Sequence, residues 1–189
     1  MAELIRSFIS IDITDENLLG KITSIQSTLK ETGGDLKLVE PENLHLTLRF
    51  LGEIPRSLLE EVCKEISNIK FKPFKLKFKG LGVFPSLSRI NVVWVGVSEG
   101  EKEVKEVAEK VNAALRRLGF PPDKKGFSPH LTIARVKSSR GKDKIAEFVR
   151  RFNDYEVGLF TVTSIRVKKS ILMPKGPQYS TIMEISAST

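Results

Sequence analysis

The chain has 189 residues, of which 40% are hydrophobic, and its 31 Lys and Arg outnumber 23 Asp and Glu to leave a formal charge of +8. Such a chain is long enough to bury a full core, has an ordinary globular composition, and is basic enough to favour a polyanionic partner without requiring one. No apolar stretch approaches the roughly 20 residues of a membrane span, no signal-peptide pattern opens the chain, and the lone Cys63 forbids an internal disulfide, so a cytoplasmic protein without a membrane partner is expected.

Residues 5–13, Ile-Arg-Ser-Phe-Ile-Ser-Ile-Asp-Ile, alternate and are rich in β-branched side chains, which predicts a strand. Thr14, Asp15, Glu16 and Asn17 offer cap chemistry for a helix to about Thr32, ended by Gly33 and Gly34. After a loop, Pro41, Glu42 and Asn43 lead into a strand over 44–51, and residues 52–55 open a second helix reaching about Ile69. Strands are expected over 73–79 and 90–97, separated by a loop over 80–88 that holds two glycines and Pro85. Apolar Val104, Val107, Ala108, Val111, Ala114 and Leu115 mark a helix over 100–118, broken by 119–126. A strand over 129–136, a helix over 142–152 and strands near 155–162, 163–172 and 178–186 complete the series.

In each half, a helix, a Pro-containing loop, a strand and another helix follow in that order. This order predicts an α+β fold by degenerate duplication: a bilobal, pseudo-symmetric molecule with two antiparallel sheets lining a central cleft and helices packed outside. No low-complexity linker divides the halves, so residues 1–189 are expected to form one domain.

The chain's only two histidines stand in matching tetrapeptides on the two central strands, His45-Leu46-Thr47-Leu48 and His130-Leu131-Thr132-Ile133. Strand alternation places each His and its Thr on one face while the apolar partners turn to the other. A lone strand histidine is more often structural than catalytic, but two in one pattern reverse those odds. A metal site is disfavoured, because there is no His-Glu-x-x-His spacing and only one Cys, and no cofactor is expected.

Two imidazoles and two hydroxyls meeting in a cleft suit displacement at phosphorus. A neutral imidazole takes a proton from the attacking water and a protonated one delivers a proton to the leaving oxygen. The threonines can donate to the non-bridging oxygens. No serine elbow, phosphate-cradling Gly-rich loop or dinucleotide fingerprint is present to support another chemistry.

Three segments carry a resemblance: Arg6-Ser-Phe8-Ile-Ser-Ile11, then Glu42-Asn43-Leu-His45-Leu-Thr47-Leu-Arg-Phe50-Leu51-Gly52-Glu53, then Phe127-Ser-Pro129-His130-Leu-Thr132-Ile-Ala-Arg135. Over nearly its whole length the chain resembles the 2H phosphoesterases, and within them the RNA 2′,3′-cyclic phosphodiesterases, also called 2′-5′ RNA ligases. The resemblance implies metal-independent hydrolysis of a terminal 2′,3′-cyclic phosphate on RNA to a 2′-phosphomonoester, with 2′-5′ joining as the reverse reaction. It implies RNA ends, tRNA fragments among them, as partners of a monomeric enzyme. It makes His45 the proton donor to the leaving 3′ oxygen and His130 the base that activates water, roles that the symmetry of the motifs alone cannot assign. Thr47, Thr132 and Arg135 would bind the phosphate.

Arg135 exposes a conflict, because strict alternation puts it on the face opposite His130 and Thr132, whereas Arg49 shares the face of His45 and Thr47. A bulge could redirect Arg135; Arg135 is favoured on resemblance and Arg49 on parity. Lys75, Lys77 and Lys79 share one face of their strand, either to contact RNA phosphates or, the preferred reading, to protect a sheet edge. Phe8, Phe50 and Tyr179 are candidates to stack on a terminal base, although scattered aromatics are more often core. Two rival functions stand beside the main one. One is a phosphodiesterase of the same superfamily for a small cyclic nucleotide, and the other is a non-catalytic RNA-end-binding protein.

Overall fold

Apolar side chains at helical spacing bury one stripe on each of four helices, and alternating strands bury one face of each of two sheets. The computed structural model describes all 189 residues, in the order β1 (Leu4–Asp12), α1 (Glu16–Lys30), β2 (Leu36–Leu38), a 3-10 turn (Pro41–Asn43), β3 (His45–Pro55), α2 (Arg56–Ile66), β4 (Phe74–Ser86), β5 (Arg89–Glu99), α3 (Glu101–Arg117), β6 (His130–Val136), α4 (Lys142–Arg151), β7 (Glu156–Val162), β8 (Ser164–Met173) and β9 (Gly176–Ser186). Helix α1 begins where the Asp15 carboxylate accepts the Leu18 N–H at 2.8 Å, satisfying one of the helix's free donors. Its buried stripe is Leu18, Ile22, Ile25 and Leu29, with one polar member, Gln26.

All strand pairs are antiparallel, in a four-stranded sheet of order β3-β1-β8-β9 and a five-stranded sheet of order β2-β6-β5-β4-β7. The two sheets do not correspond to the two sequence halves. Strand β4, from the first half, pairs with β5 and β7, while β8, from the second, lies between β1 and β9. Helix α1 likewise crosses to pack on β6 and β7, and α3 packs on β3. Each half thus completes the other's layer, and a cluster of 42 buried residues runs through both. Leu46 and Leu131, next to the histidines, are fully buried in it; truncating either to Ala costs about 2–5 kcal/mol.

Several boundaries differ from the sequence reading. Residues 52–55 continue β3 instead of opening a helix, and α2 starts at Arg56 and ends at Ile66. Strand β4 runs through 80–86, leaving Leu87 and Ser88 as a two-residue hairpin turn in place of the expected loop. Gly80 makes this continuation possible: its φ is +78°, and a Cβ there would lie 2.4 Å from the Asn153 carbonyl oxygen. Strand β2, three residues long, is too short to show a period in the sequence. Strand β4 is also interior, so the edge-protection reading of its lysines is overturned. Lys77 bridges Glu99 at 3.3 Å and Glu156 at 3.2 Å on the flanking strands, and Lys79 meets Asp154 at 3.0 Å.

Candidate active site

The motif strands β3 and β6 belong to different sheets and pack against each other where the sheets meet. In β3, His45 pairs with Asp12 and Thr47 with Ser10 of β1, while Leu46 and Leu48 are buried on the helix side. In β6, His130 pairs with Gly96 and Thr132 with Trp94 of β5. The site face of each strand therefore carries the His-Thr couple, as alternation predicts.

Both imidazoles are tied in the same way. His45 Nδ1 lies 2.6 Å from the Asn43 carbonyl oxygen and His130 Nδ1 lies 2.7 Å from that of Ser128, each two residues upstream. A carbonyl only accepts, so Nδ1 carries a proton in both rings and Nε2 is left for chemistry. His45 Nε2 is 3.0 Å from Thr47 Oγ1. Aromatic walls hold the rings: Phe8 and Tyr179 lie 5.0 and 5.3 Å from His45, and Phe84 and Trp94 lie 4.9 and 6.2 Å from His130. The indole of Trp94 lies against the strand at Gly82, where a Cβ would sit 2.3 Å from its ring.

Bulges decide the arginines. In β6 the pairing steps from Thr132–Trp94 to Ala134–Val93, so Ile133 is an extra residue. Ile133 and Ala134 are consecutively buried, and parity reverses. Arg135, opposite Val92, is exposed, and its charge acts on His45 and Tyr179 of the other sheet. In β3 the pairing steps from Thr47–Ser10 to Arg49–Ile9, leaving Leu48 as the extra residue. Arg49 turns to the helix side, where its guanidinium donates to Asn112 Oδ1 of α3 at 3.4 Å and to the Pro121 carbonyl. The bulges thus put Arg135 on the face of β6 that carries His130 and Thr132 and take Arg49 off the face of β3 that carries His45 and Thr47.

Beneath His45 lies a charged cluster that no motif marked. Asp12 accepts from Lys168 Nζ at 2.5 Å, from Arg166 at 2.9 Å and from Ser10 Oγ at 2.7 Å. Lys168 is only 7% exposed. Alternation in β1 could have placed Asp12 with Phe8 and Ser10, but its cationic partners come from a strand over 150 residues later. Burial pushes the Asp12 pKa up, yet the hydrogen bonds from Lys168, Ser10 and Arg166 and the Lys168 charge outweigh it and hold the carboxyl below 3.8. For His45, burial dominates and depresses the pKa below 6.5. The Asn43 carbonyl and Asp12 oppose that shift, while Lys168 and Arg135 reinforce it.

The remaining candidates divide. Phe8 is buried, whereas Phe50, 6.3 Å from it ring to ring, is 68% exposed. Tyr179 lies half-buried on β9, and burial raises its pKa while Arg135 and Arg6 pull it down. The β8–β9 hairpin reaches back toward the start of β3, where Asn43 Nδ2 donates to the Pro177 carbonyl at 3.3 Å, and Lys37 Nζ donates to the Lys175 carbonyl. The Asn43 that anchors His45 is thus held by the hairpin. No three His, Cys, Asp or Glu side chains converge in the chain, and no helix is long and apolar enough to cross a membrane.

Comparison with known proteins accounts for the repeated geometry. The LigT-like phosphoesterase family matches the chain twice, over residues 11–94 and 95–179. An RNA 2′,3′-cyclic phosphodiesterase of Aeropyrum pernix is 38% identical over 91% of this chain and 98% of its own. One of Archaeoglobus fulgidus is 41% identical over 92% of this chain and 96% of its own. The crystal structure of the Thermus thermophilus protein TT0787 superposes with a TM-score of 0.82 and 26% identity, covering 96% of this chain and 97% of that one. With both halves matched and relatives of this identity aligned almost end to end, the chain belongs to the LigT-like phosphoesterases of the 2H family.

Proposed function

We propose that the protein is an RNA 2′,3′-cyclic phosphodiesterase that works by two-histidine acid–base catalysis without a metal. One observation carries the reading: both imidazoles are anchored at Nδ1 by the carbonyl two residues upstream, so both leave Nε2 free, on strands that meet and that each carry a threonine two residues on. His130 Nε2 takes a proton from water as its oxygen attacks phosphorus. The bond from phosphorus to the 3′ oxygen breaks, and His45 Nε2–H protonates that oxygen, leaving a 2′-phosphomonoester and a 3′ hydroxyl. Thr47, Thr132 and Arg135 meet the non-bridging oxygens, whose charge grows in the transition state. Because burial disfavours the His45 imidazolium, the phosphate anion restores the proton that His45 must donate. With a 5′ hydroxyl in place of water attacking the cyclic phosphate, the same groups form a 2′-5′ linkage as the bond to the 3′ oxygen breaks.

The names of the 38% and 41% identical relatives support this substrate class. Residues 1–189 act as one bilobal domain, a cytoplasmic monomer that takes RNA ends, tRNA fragments among them. The test is incubation, in excess chelator, with an oligoribonucleotide ending in 2′,3′-cyclic phosphate, with the product isomer identified. A 2′-phosphate is expected. A 3′-phosphate, or loss of activity restored by a divalent ion, overturns the mechanism. Faster turnover of a small cyclic nucleotide overturns the RNA assignment, and tight RNA binding without turnover leaves an end-binding protein.

A further inference from the structure

Gln26 is one of only four buried polar or charged residues, 3% exposed in the apolar stripe of α1. A buried amide must find partners or cost free energy. Both of its partners are backbone: Nε2 lies 2.8 Å from the Val39 carbonyl oxygen and 2.8 Å from that of Ile133. Ile133 is the extra residue of the β6 bulge, and its carbonyl also accepts the Val39 N–H at 2.9 Å. One side chain therefore clamps the end of β2 to the single residue whose insertion reverses the parity of β6. Val39 continues the register of β2 on β6, in which Leu38 faces Ala134, so the extra residue is held from the β2 side while it is skipped by β5; without that extra residue Arg135 would turn to the helix side.

We infer that Gln26 is a positioning residue for the phosphate site, holding the bulge that delivers Arg135 to the histidines. The inference rests on the reading above in which Arg135 meets the phosphate. The side chain touches no reacting atom, and its effect runs through the Ile133 backbone.

The experiment is a double-mutant cycle of Gln26→Met and Arg135→Ala, read as KM and kcat on a mononucleoside 2′,3′-cyclic phosphate. Amide hydrogen exchange over residues 133–136 is measured alongside. Arg135→Ala should weaken kcat/KM by about 10- to 100-fold, the worth of a charge-assisted hydrogen bond. Gln26→Met, which fills the same space without donors, should cost about 3- to 30-fold, mainly in KM, and exchange over 133–136 should quicken. In the Arg135→Ala background, Gln26→Met should cost less than about twofold more, because the two act through one contact. Multiplied losses, or wild-type kinetics and exchange in Gln26→Met, overturn the inference. If Arg135→Ala is silent, the phosphate reading of Arg135 falls instead, and unchanged exchange in Gln26→Met would separately remove the clamp. Should Gln26→Met not fold, Gln26→Ala, which also removes both donors and cannot overpack the site, enters the same cycle with the same criteria.

Discussion

Replacing Asp12 by Asn separates the electrostatics under His45 from its packing. The substitution keeps the shape and one acceptor but removes the only carboxylate bonded to Lys168. The Lys168 side chain is 8% exposed, whereas Arg166 is 24% exposed and keeps Glu184 at 3.1 Å. The loss therefore falls on one buried ammonium. Leaving a buried charge unpaired costs about 3–5 kcal/mol, and the retained acceptor argues for the lower end, about 3 kcal/mol. For a chain of this size that lowers Tm by roughly 6–12 °C. Because the folded pKa of Asp12 lies below 3.8, its contribution is complete above its unfolded pKa and is lost as pH falls through the folded value. Urea unfolding should thus separate Asp12→Asn from wild type at pH 7 and bring them together in strong acid. Catalysis gives a second reading. Asp12 raises the His45 pKa while Lys168 lowers it, so the variant should lower that pKa further. With His45 as proton donor, the alkaline limb of kcat/KM moves to lower pH. Equal stability at pH 7, or an alkaline limb that moves upward, would refute the reasoning.

Replacing His45 or His130 by Ala should each lower turnover of a cyclic-phosphate substrate by about 10²- to 10⁴-fold, with a double mutant little worse than either single one, as steady-state kinetics would show. Arg49→Ala should leave kcat/KM within about twofold and cost about 0.5–1.5 kcal/mol in urea unfolding, because its bonds run to Asn112 and Pro121 on the helix side. A large kinetic loss there would return Arg49 to the site. Changing Lys75, Lys77 and Lys79 together to Gln should leave the salt dependence of RNA affinity unchanged, since Lys77 and Lys79 already face carboxylates. A slope flattened by about one per lysine in a binding titration would show that RNA displaces those partners.

The repeated His-x-Thr text makes the face of each motif strand legible before any coordinates, since period-two alternation is a local property of the backbone. The arginines mark where local reasoning stops. Parity nominates Arg49 and rejects Arg135, and a one-residue bulge in each strand reverses both. A bulge leaves no sequence mark here, because its cause is distant: in β6 it is held by Gln26 and Val39, which lie 107 and 94 residues from Ile133 in the chain. The lysines of β4 read as an edge for a similar reason, as strand order depends on which segments the chain later brings alongside.

By itself the sequence determined the helices and most of the strands, the duplication and the two couples His45–Thr47 and His130–Thr132, because hydrophobic period and motif spacing are written in neighbouring residues. Only the tertiary structure decided that each half lends a strand to the other's sheet and that Arg135 rather than Arg49 shares a strand face with its motif histidine. It alone set Asp12 and Lys168 beneath His45. Those outcomes depend on register, bulges and buried charge pairing between segments up to 156 residues apart, and their energies arise only once the chain has closed on itself.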